Sequence, residues 1–68
     1  MSKYLLLWKY IENGNKDSYK LSYSEIKNIL GFEIDHSFLK YKKELLDYGY
    51  EVGKISMKDK TIIFNKIK

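Results

Sequence analysis

The first residues of the chain carry apolar side chains at the spacing of an amphipathic helix, which predicts a helix from about Lys3 to Asn13. With 100° between successive residues, the predicted core face holds Tyr4, Leu7, Trp8 and Ile11. Gly14 follows at the position of a left-handed C-terminal cap. Three further apolar residues lie outside this face, namely Leu5, Leu6 and Tyr10. We expect either a later strand or a second subunit to cover them.

The middle of the chain predicts a short strand followed by a second helix. Tyr19–Leu21 is long enough for one short strand. Ser22-Tyr23-Ser24-Glu25 has the form of a capping box, in which Ser22 and Glu25 satisfy exposed backbone N–H groups reciprocally. The helix that begins there covers 22–30 and ends at Gly31, and its inward-facing residues are Ile26, Ile29 and Leu30.

A third helix is predicted over 36–48, with Asp35 as its N-cap and Gly49 as its end. Its apolar side holds Phe38, Leu39, Leu45 and Leu46, with Tyr41 and Tyr48 at the edge. The opposite face holds His36, Lys40, Lys43 and Asp47, flanked by Ser37 and Glu44. We expect Glu44 and Asp47 to be solvated. Lys42 falls on the apolar side, where its aliphatic part is expected to lie along neighbouring side chains.

The last third of the chain predicts a β-hairpin. The strand Tyr50–Met57 shows a slip in its alternation, because the apolar positions Tyr50 and Val52 are followed by Ile55 and Met57. An extra residue at Gly53–Lys54 explains the slip and predicts a β-bulge. The polar turn 58–60 leads to a returning strand over 61–67 that is rich in β-branched residues.

The order helix, strand, helix, helix, strand, strand is that of a winged helix-turn-helix domain, an α+β fold with three helices and a small antiparallel sheet. The two helices 22–30 and 35–48 flank the short turn of the motif. We therefore predict one such domain over residues 1–68.

Composition excludes several other classes of protein. The 68 residues include no cysteine and no proline, so a disulfide framework and a thiolate metal site are both impossible. One histidine cannot build a zinc site without carboxylates, and no cofactor is expected. The apolar run Leu5–Trp8 is much shorter than a membrane span, and no signal peptide is visible. A cytoplasmic protein is expected.

Charge is distributed unevenly along the chain. Residues 1–35 hold five lysines and five acids, whereas 36–68 hold eight lysines and four acids, so the formal charge of +4 lies in the second half. This asymmetry is typical of a surface for a polyanion. AT-rich codon usage is an alternative source of the lysines and of the seven tyrosines, and solvation of a small protein is another role for the lysines.

From Leu21 onward, about two thirds of the chain resembles a group of small bacterial and phage domains of unassigned function. The resembling stretches are LSYSEI at 21–26, ILGF at 29–32, Ser37, YGYEV at 48–52 and KTIIF at 60–64. Many members carry arginine, histidine and tryptophan after the serine, where this chain has the segment FLKYKK at 38–43. The resemblance implies one compact domain and no particular reaction.

The residues favour nucleic-acid binding over catalysis. His36 has no serine or acid placed to make it a general base, and no glycine-rich phosphate loop is present. In a helix-turn-helix the second helix of the motif enters the major groove of double-stranded DNA. The predicted base contacts are therefore His36, Ser37, Lys40, Tyr41 and Lys43. The predicted backbone contacts are Ser22, Tyr23, Ser24 and Lys27 at the second helix, and Lys54, Lys58 and Lys60 of a hairpin (54–60) that acts as the wing. A small transcriptional regulator is the predicted function.

The alternative is a protein-interaction module on the same fold, such as a phage- or plasmid-type inhibitor or adaptor with no nucleic-acid role. Its predicted surface is Leu5, Leu6 and Tyr10, joined by Ile63 and Ile67 of the last strand. A homodimer through the helix 3–13 would use the same surface and pair two DNA-binding helices.

Overall fold

The computed structural model describes residues 2–67, which form four helical segments and one three-stranded antiparallel sheet. The helices are α1 (Leu5–Gly14), α2 (Tyr23–Leu30), α3 (Ser37–Tyr41) and a 3-10 helix (Lys42–Tyr48) that continues α3. The strands are β1 (Ser18–Ser22), β2 (Tyr50–Ser56) and β3 (Thr61–Lys66), and their order in the sheet is β1–β3–β2. The α+β class and the predicted order of elements are confirmed.

The core face of α1 is the predicted one, because Tyr4, Leu7, Trp8 and Ile11 are all buried. The helix ends differently from the prediction. The left-handed residue is Asn15, with φ 52°, and not Gly14. Gly14 is instead the last helical residue, and a Cβ there would collide with the hydroxyl of Tyr19. The glycine therefore permits a close approach between α1 and β1.

The start and end of α2 are as predicted. The Glu25 N–H donates to Ser22 Oγ at 3.1 Å, and the Ser22 N–H donates to Glu25 Oε1 at 2.8 Å, which completes the capping box. Gly31 ends the helix in the left-handed region, with φ 86°.

The prediction of one regular α-helix over 36–48 is wrong. Only the five residues Ser37–Tyr41 are α-helical, and the 3-10 helix that follows has about three residues per turn, so residues three apart share a side. This geometry places Lys42 beside Leu45 on the inner side, with Leu45 buried and Lys42 half-buried. Leu46 and Leu39 were both predicted to lie in the core, but Leu46 is 49% exposed and Leu39 of α3 is 54% exposed.

The sheet has one face in the core and one face outside. Tyr19 pairs with Phe64 and Leu21 with Ile62, and all four residues are buried. Ile63 lies between Ile62 and Phe64 on β3, so it faces outward, in one row with Lys20 and Lys54. The register of β2 shifts between Val52 and Lys54, which confirms the predicted bulge at Gly53.

The core fills the space between the inner face of this sheet and the helices. Across the described range 2–67, no charged side chain is fully buried. No helix in that range is long and apolar enough to cross a membrane.

Candidate nucleic-acid interface

The connection between α2 and α3 is held by Asp35. Asp35 Oδ1 accepts hydrogen bonds from the Ser37 N–H at 2.8 Å and from Ser37 Oγ at 2.5 Å. Lys3 Nζ lies 3.1 Å from Oδ2 of the same carboxylate. These donors, with Ser37 first and Lys3 after it, hold the pKa of Asp35 well below its usual range. The N-cap residue of α3 is therefore His36 and not Asp35 as predicted, but the Asp35 carboxylate still accepts from the first N–H of the helix.

The same network ties down Ser37, one of the predicted base contacts. Its hydroxyl also lies 2.7 Å from the hydroxyl of the buried Tyr4, so it is half-buried and already hydrogen-bonded. Tyr41 is also half-buried, with its ring centroid 6.3 Å from that of Tyr4. Both side chains therefore position α3 on α1, and neither projects freely into solvent.

The other three predicted base contacts are exposed, namely His36, Lys40 and Lys43. The ammonium group of Lys40 lies 5.4 Å from the centre of the Tyr41 ring. Within residues 2–67 the ion pairs are Lys3–Asp35 and Lys27–Glu33, so Lys40 and Lys43 have no carboxylate within ion-pair distance. Their charges remain available to a polyanion.

The predicted backbone contacts fall into two groups. Tyr23 donates its N–H to the carbonyl of Lys60 at 2.8 Å, which joins the hairpin turn to the start of α2. A polar depression of about 280 Å³ lies there, lined by Tyr23, Ser24, Lys27, Glu33, Ile34 and Lys60. Lys27 Nζ is 3.6 Å from the Glu33 carboxylate across this depression. The Ser22 side chain is engaged in the capping box instead.

Lys54 belongs to a different surface from the residues at the hairpin turn. It lies on the outer face of the sheet, paired with Ile63, whereas Lys58 and Lys60 are exposed at the turn. Lys60 adopts a left-handed backbone with φ 55°, which completes the tight turn. The lysines grouped by the sequence analysis are therefore divided between the turn and the back of the sheet.

An apolar groove that the sequence did not predict adjoins the polar depression. Its volume is about 350 Å³, and it lies between the 31–36 connection, α3 and the end of the hairpin. Leu39 and Met57 form its exposed rim, at 54% and 79% exposure. The α-helical projection placed Leu39 in the core, so the sequence did not predict an exposed leucine beside a groove.

Glu44 is not solvated as expected. Its Oε1 accepts hydrogen bonds from Ser2 Oγ at 2.5 Å and from Trp8 Nε1 at 3.1 Å. These two donors lower the pKa of Glu44. The carboxylate therefore fastens the 3-10 helix to α1. In the stretch 2–67, no group of three histidine or acidic side chains is arranged to hold a metal ion.

The predicted partner surface on α1 is partly open. Leu6 is 60% exposed and Tyr10 is 44% exposed, whereas Leu5 is half-buried. No strand of the described chain covers Leu6. Ile63 is not part of this surface, because it faces outward from the back of the sheet.

Comparison of the chain with models of protein families, with curated proteins and with solved structures gave no match. The site must therefore be interpreted from its own geometry and charge.

Proposed function

We propose that this protein is a small winged helix-turn-helix transcriptional regulator that binds double-stranded DNA in the cytoplasm. The order of elements agrees with this fold, since β1 joins the β2–β3 hairpin in one small sheet and α2 and α3 flank a short turn. The α3 segment is the recognition helix of the proposal, and the hairpin is its wing.

The observation that carries the proposal is the set of unpaired lysines on α3, on the 3-10 helix that continues it and on the hairpin turn. Lys40, Lys43, Lys58 and Lys60 are all exposed, and in residues 2–67 none of them forms an ion pair. Phosphate contacts by lysine release bound counterions, so affinity falls as salt rises. Four such contacts predict a slope of roughly 3.6 in a plot of log affinity against log salt.

The test is fluorescence anisotropy of a labelled random-sequence duplex, measured from low to rising salt. We expect Lys40→Ala combined with Lys43→Ala to weaken binding more than about tenfold and to reduce the slope by roughly 1.8. The matched control is Lys9→Ala combined with Lys20→Ala, which removes the same charge from exposed positions on α1 and on the outer face of the sheet.

Two results would overturn the proposal. Equal weakening by the two double variants would mean that net charge alone drives association and that α3 has no special part. Absence of binding by the wild-type protein at low salt would remove the DNA function altogether.

A homodimer through α1 accompanies this proposal, because Leu6 and Tyr10 leave an apolar surface uncovered. Two copies joined there would present two recognition helices to one duplex, as dimeric regulators do at paired half-sites.

A further inference from the structure

Four exposed side chains follow one another at helical spacing from the N-cap of α3 to the start of the 3-10 helix, namely His36, Leu39, Lys40 and Lys43. Intervals of three and four residues bring side chains to one side of a helix. Phe38, which is buried in the core, marks the opposite side. The predicted polar face of His36, Lys40 and Lys43 therefore includes a leucine as well.

The exposed part of Leu39 has no role in the core. The side chain is 54% exposed, whereas the adjacent Phe38 is 2% exposed and packs against the helices and the sheet. Leu39 borders the apolar groove, whose exposed rim it shares with Met57. An apolar surface that stays in water contributes nothing to folding. In the chain from residue 2 to residue 67, more than half of Leu39 is thus open to a bound partner.

The proposed function brings the major groove of DNA to this face. Base edges in that groove present hydrogen-bond donors and acceptors, and thymine adds an apolar C5-methyl group. Lys40 and Lys43, which form no ion pair within residues 2–67, can donate to guanine and to phosphate oxygens. A leucine side chain has neither a donor nor an acceptor, so the C5-methyl group is the feature of a base edge that it matches.

We infer, on the basis of the proposed DNA function, that Leu39 is a specificity-determining residue that packs against the C5-methyl group of a thymine in the major groove. His36 and Lys40 lie on the same face beside Leu39, so they contact the bases next to that thymine. The preferred target therefore carries thymine in the middle of the bases that α3 contacts. The DNA function itself depends on the lysines and does not require this contact.

The test compares two labelled duplexes that differ in this methyl group alone. One has an alternating A·T sequence, and the other has deoxyuridine in place of every thymine, which preserves the charge and the base pairing. Binding of the full chain to each duplex is measured by fluorescence anisotropy. We expect the wild type to bind the thymine duplex about fourfold more tightly for each methyl group contacted, which is the factor for burial of one methyl group at 25 °C.

Three variants assign the methyl contact to a residue. Leu39→Ala is expected to bring the ratio of the two affinities close to one and to leave the slope with salt unchanged, because the lysines remain. Leu39→Met keeps an apolar side chain of similar volume and should retain most of the ratio. Met57→Ala is the matched control, since it removes another exposed apolar side chain that follows β2 and lies outside α3, and its ratio should equal that of the wild type. Circular dichroism of each variant verifies that it is folded.

Each contrary result has a definite meaning. Equal binding of the two duplexes by the wild type would overturn the role of Leu39 and leave the DNA function in place. An unchanged ratio in Leu39→Ala would overturn that role as well, and so would an equal loss of the ratio in Met57→Ala, because the methyl contact would then lie elsewhere. Absence of binding to either duplex at low salt would remove the DNA function and the role of Leu39 together.

Discussion

The contact between Gly14 and Tyr19 gives a sharp test of how α1 is fixed to the sheet. The Tyr19 hydroxyl donates to the carbonyl of Ile11 at 2.7 Å, and it also lies 3.4 Å from the Lys16 N–H. A Cβ at position 14 would collide with this hydroxyl and would lie 3.1 Å from the ring carbon Cζ. Gly14→Ala therefore displaces the ring that holds the end of the helix.

The magnitudes of the single changes follow from these contacts. Alanine in a helix is favoured over glycine by roughly 0.5–1 kcal/mol. Overpacking costs about 1–3 kcal/mol, and loss of the buried hydrogen bond adds about 1 kcal/mol. We therefore expect Gly14→Ala to lower the free energy of unfolding by about 2 kcal/mol. Tyr19→Phe removes the hydroxyl alone and is expected to cost about 1 kcal/mol.

The double variant separates the collision from the other effects. With Tyr19→Phe in place the hydroxyl is absent but the ring carbon Cζ stays 3.1 Å from the added Cβ, so Gly14→Ala is expected to cost about 1 kcal/mol or less. The coupling energy between the two sites is then about 1–2 kcal/mol. Urea unfolding can be followed by the fluorescence of Trp8, which is the single tryptophan and is 1% exposed.

Additivity of the two changes within about 0.5 kcal/mol would refute this reasoning. So would a Gly14→Ala variant as stable as the wild type, because the close approach would then impose no restriction on residue 14. Tyr10→Phe is a suitable control, since Tyr10 is 44% exposed and its hydroxyl is not among the three atoms nearest to a Cβ at position 14.

Two further predictions concern the dimer and the acid stability. We expect Leu6→Glu to stay folded and to sediment as a monomer where the wild type sediments as a dimer; a wild type that is monomeric at high concentration would contradict the α1 interface. Ser2 and Trp8 lower the pKa of Glu44 in the folded state, so its contribution to stability is complete above the unfolded pKa of about 4.3 and is lost as pH falls toward the folded pKa. Glu44→Gln keeps an acceptor for Trp8 Nε1 but does not ionise, so the urea midpoint of this variant should fall less than that of the wild type between about pH 5 and pH 3. Asp35, whose pKa is also lowered, contributes equally to the acid dependence of both proteins. Equal acid dependence of the two midpoints would exclude the role of Glu44.

Local signals in the sequence determined much of the secondary structure. The capping box of Ser22 and Glu25 marks the start of α2, and Gly31 and Gly49 end their helices in the left-handed region. The slip in apolar alternation identified the bulge at Gly53. These signals succeed because each depends on contacts between residues that are close in the chain.

The candidate site was predicted less completely. The exposed lysines of α3, of the 3-10 helix and of the hairpin turn could be identified, because a charged side chain on a polar face remains in solvent. Ser37 and Tyr41 were predicted to contact bases as well, but they contact Tyr4, more than 30 residues earlier in the chain. Lys54 was grouped with the turn lysines, and the bulge and pairing register place it on the back of the sheet.

Only the tertiary structure decided how the third helical segment is wound and what it leaves exposed. Apolar periodicity does not distinguish hydrogen bonds to the third residue from those to the fourth, so Leu39 and Leu46 were assigned to the core. In the folded chain, burial of Leu45 and the bond between Trp8 and Glu44 fix that segment instead. The sequence by itself thus determined the order of elements and their caps, whereas contacts between distant residues decided the groove, the close approach at Gly14 and the orientation of the lysines.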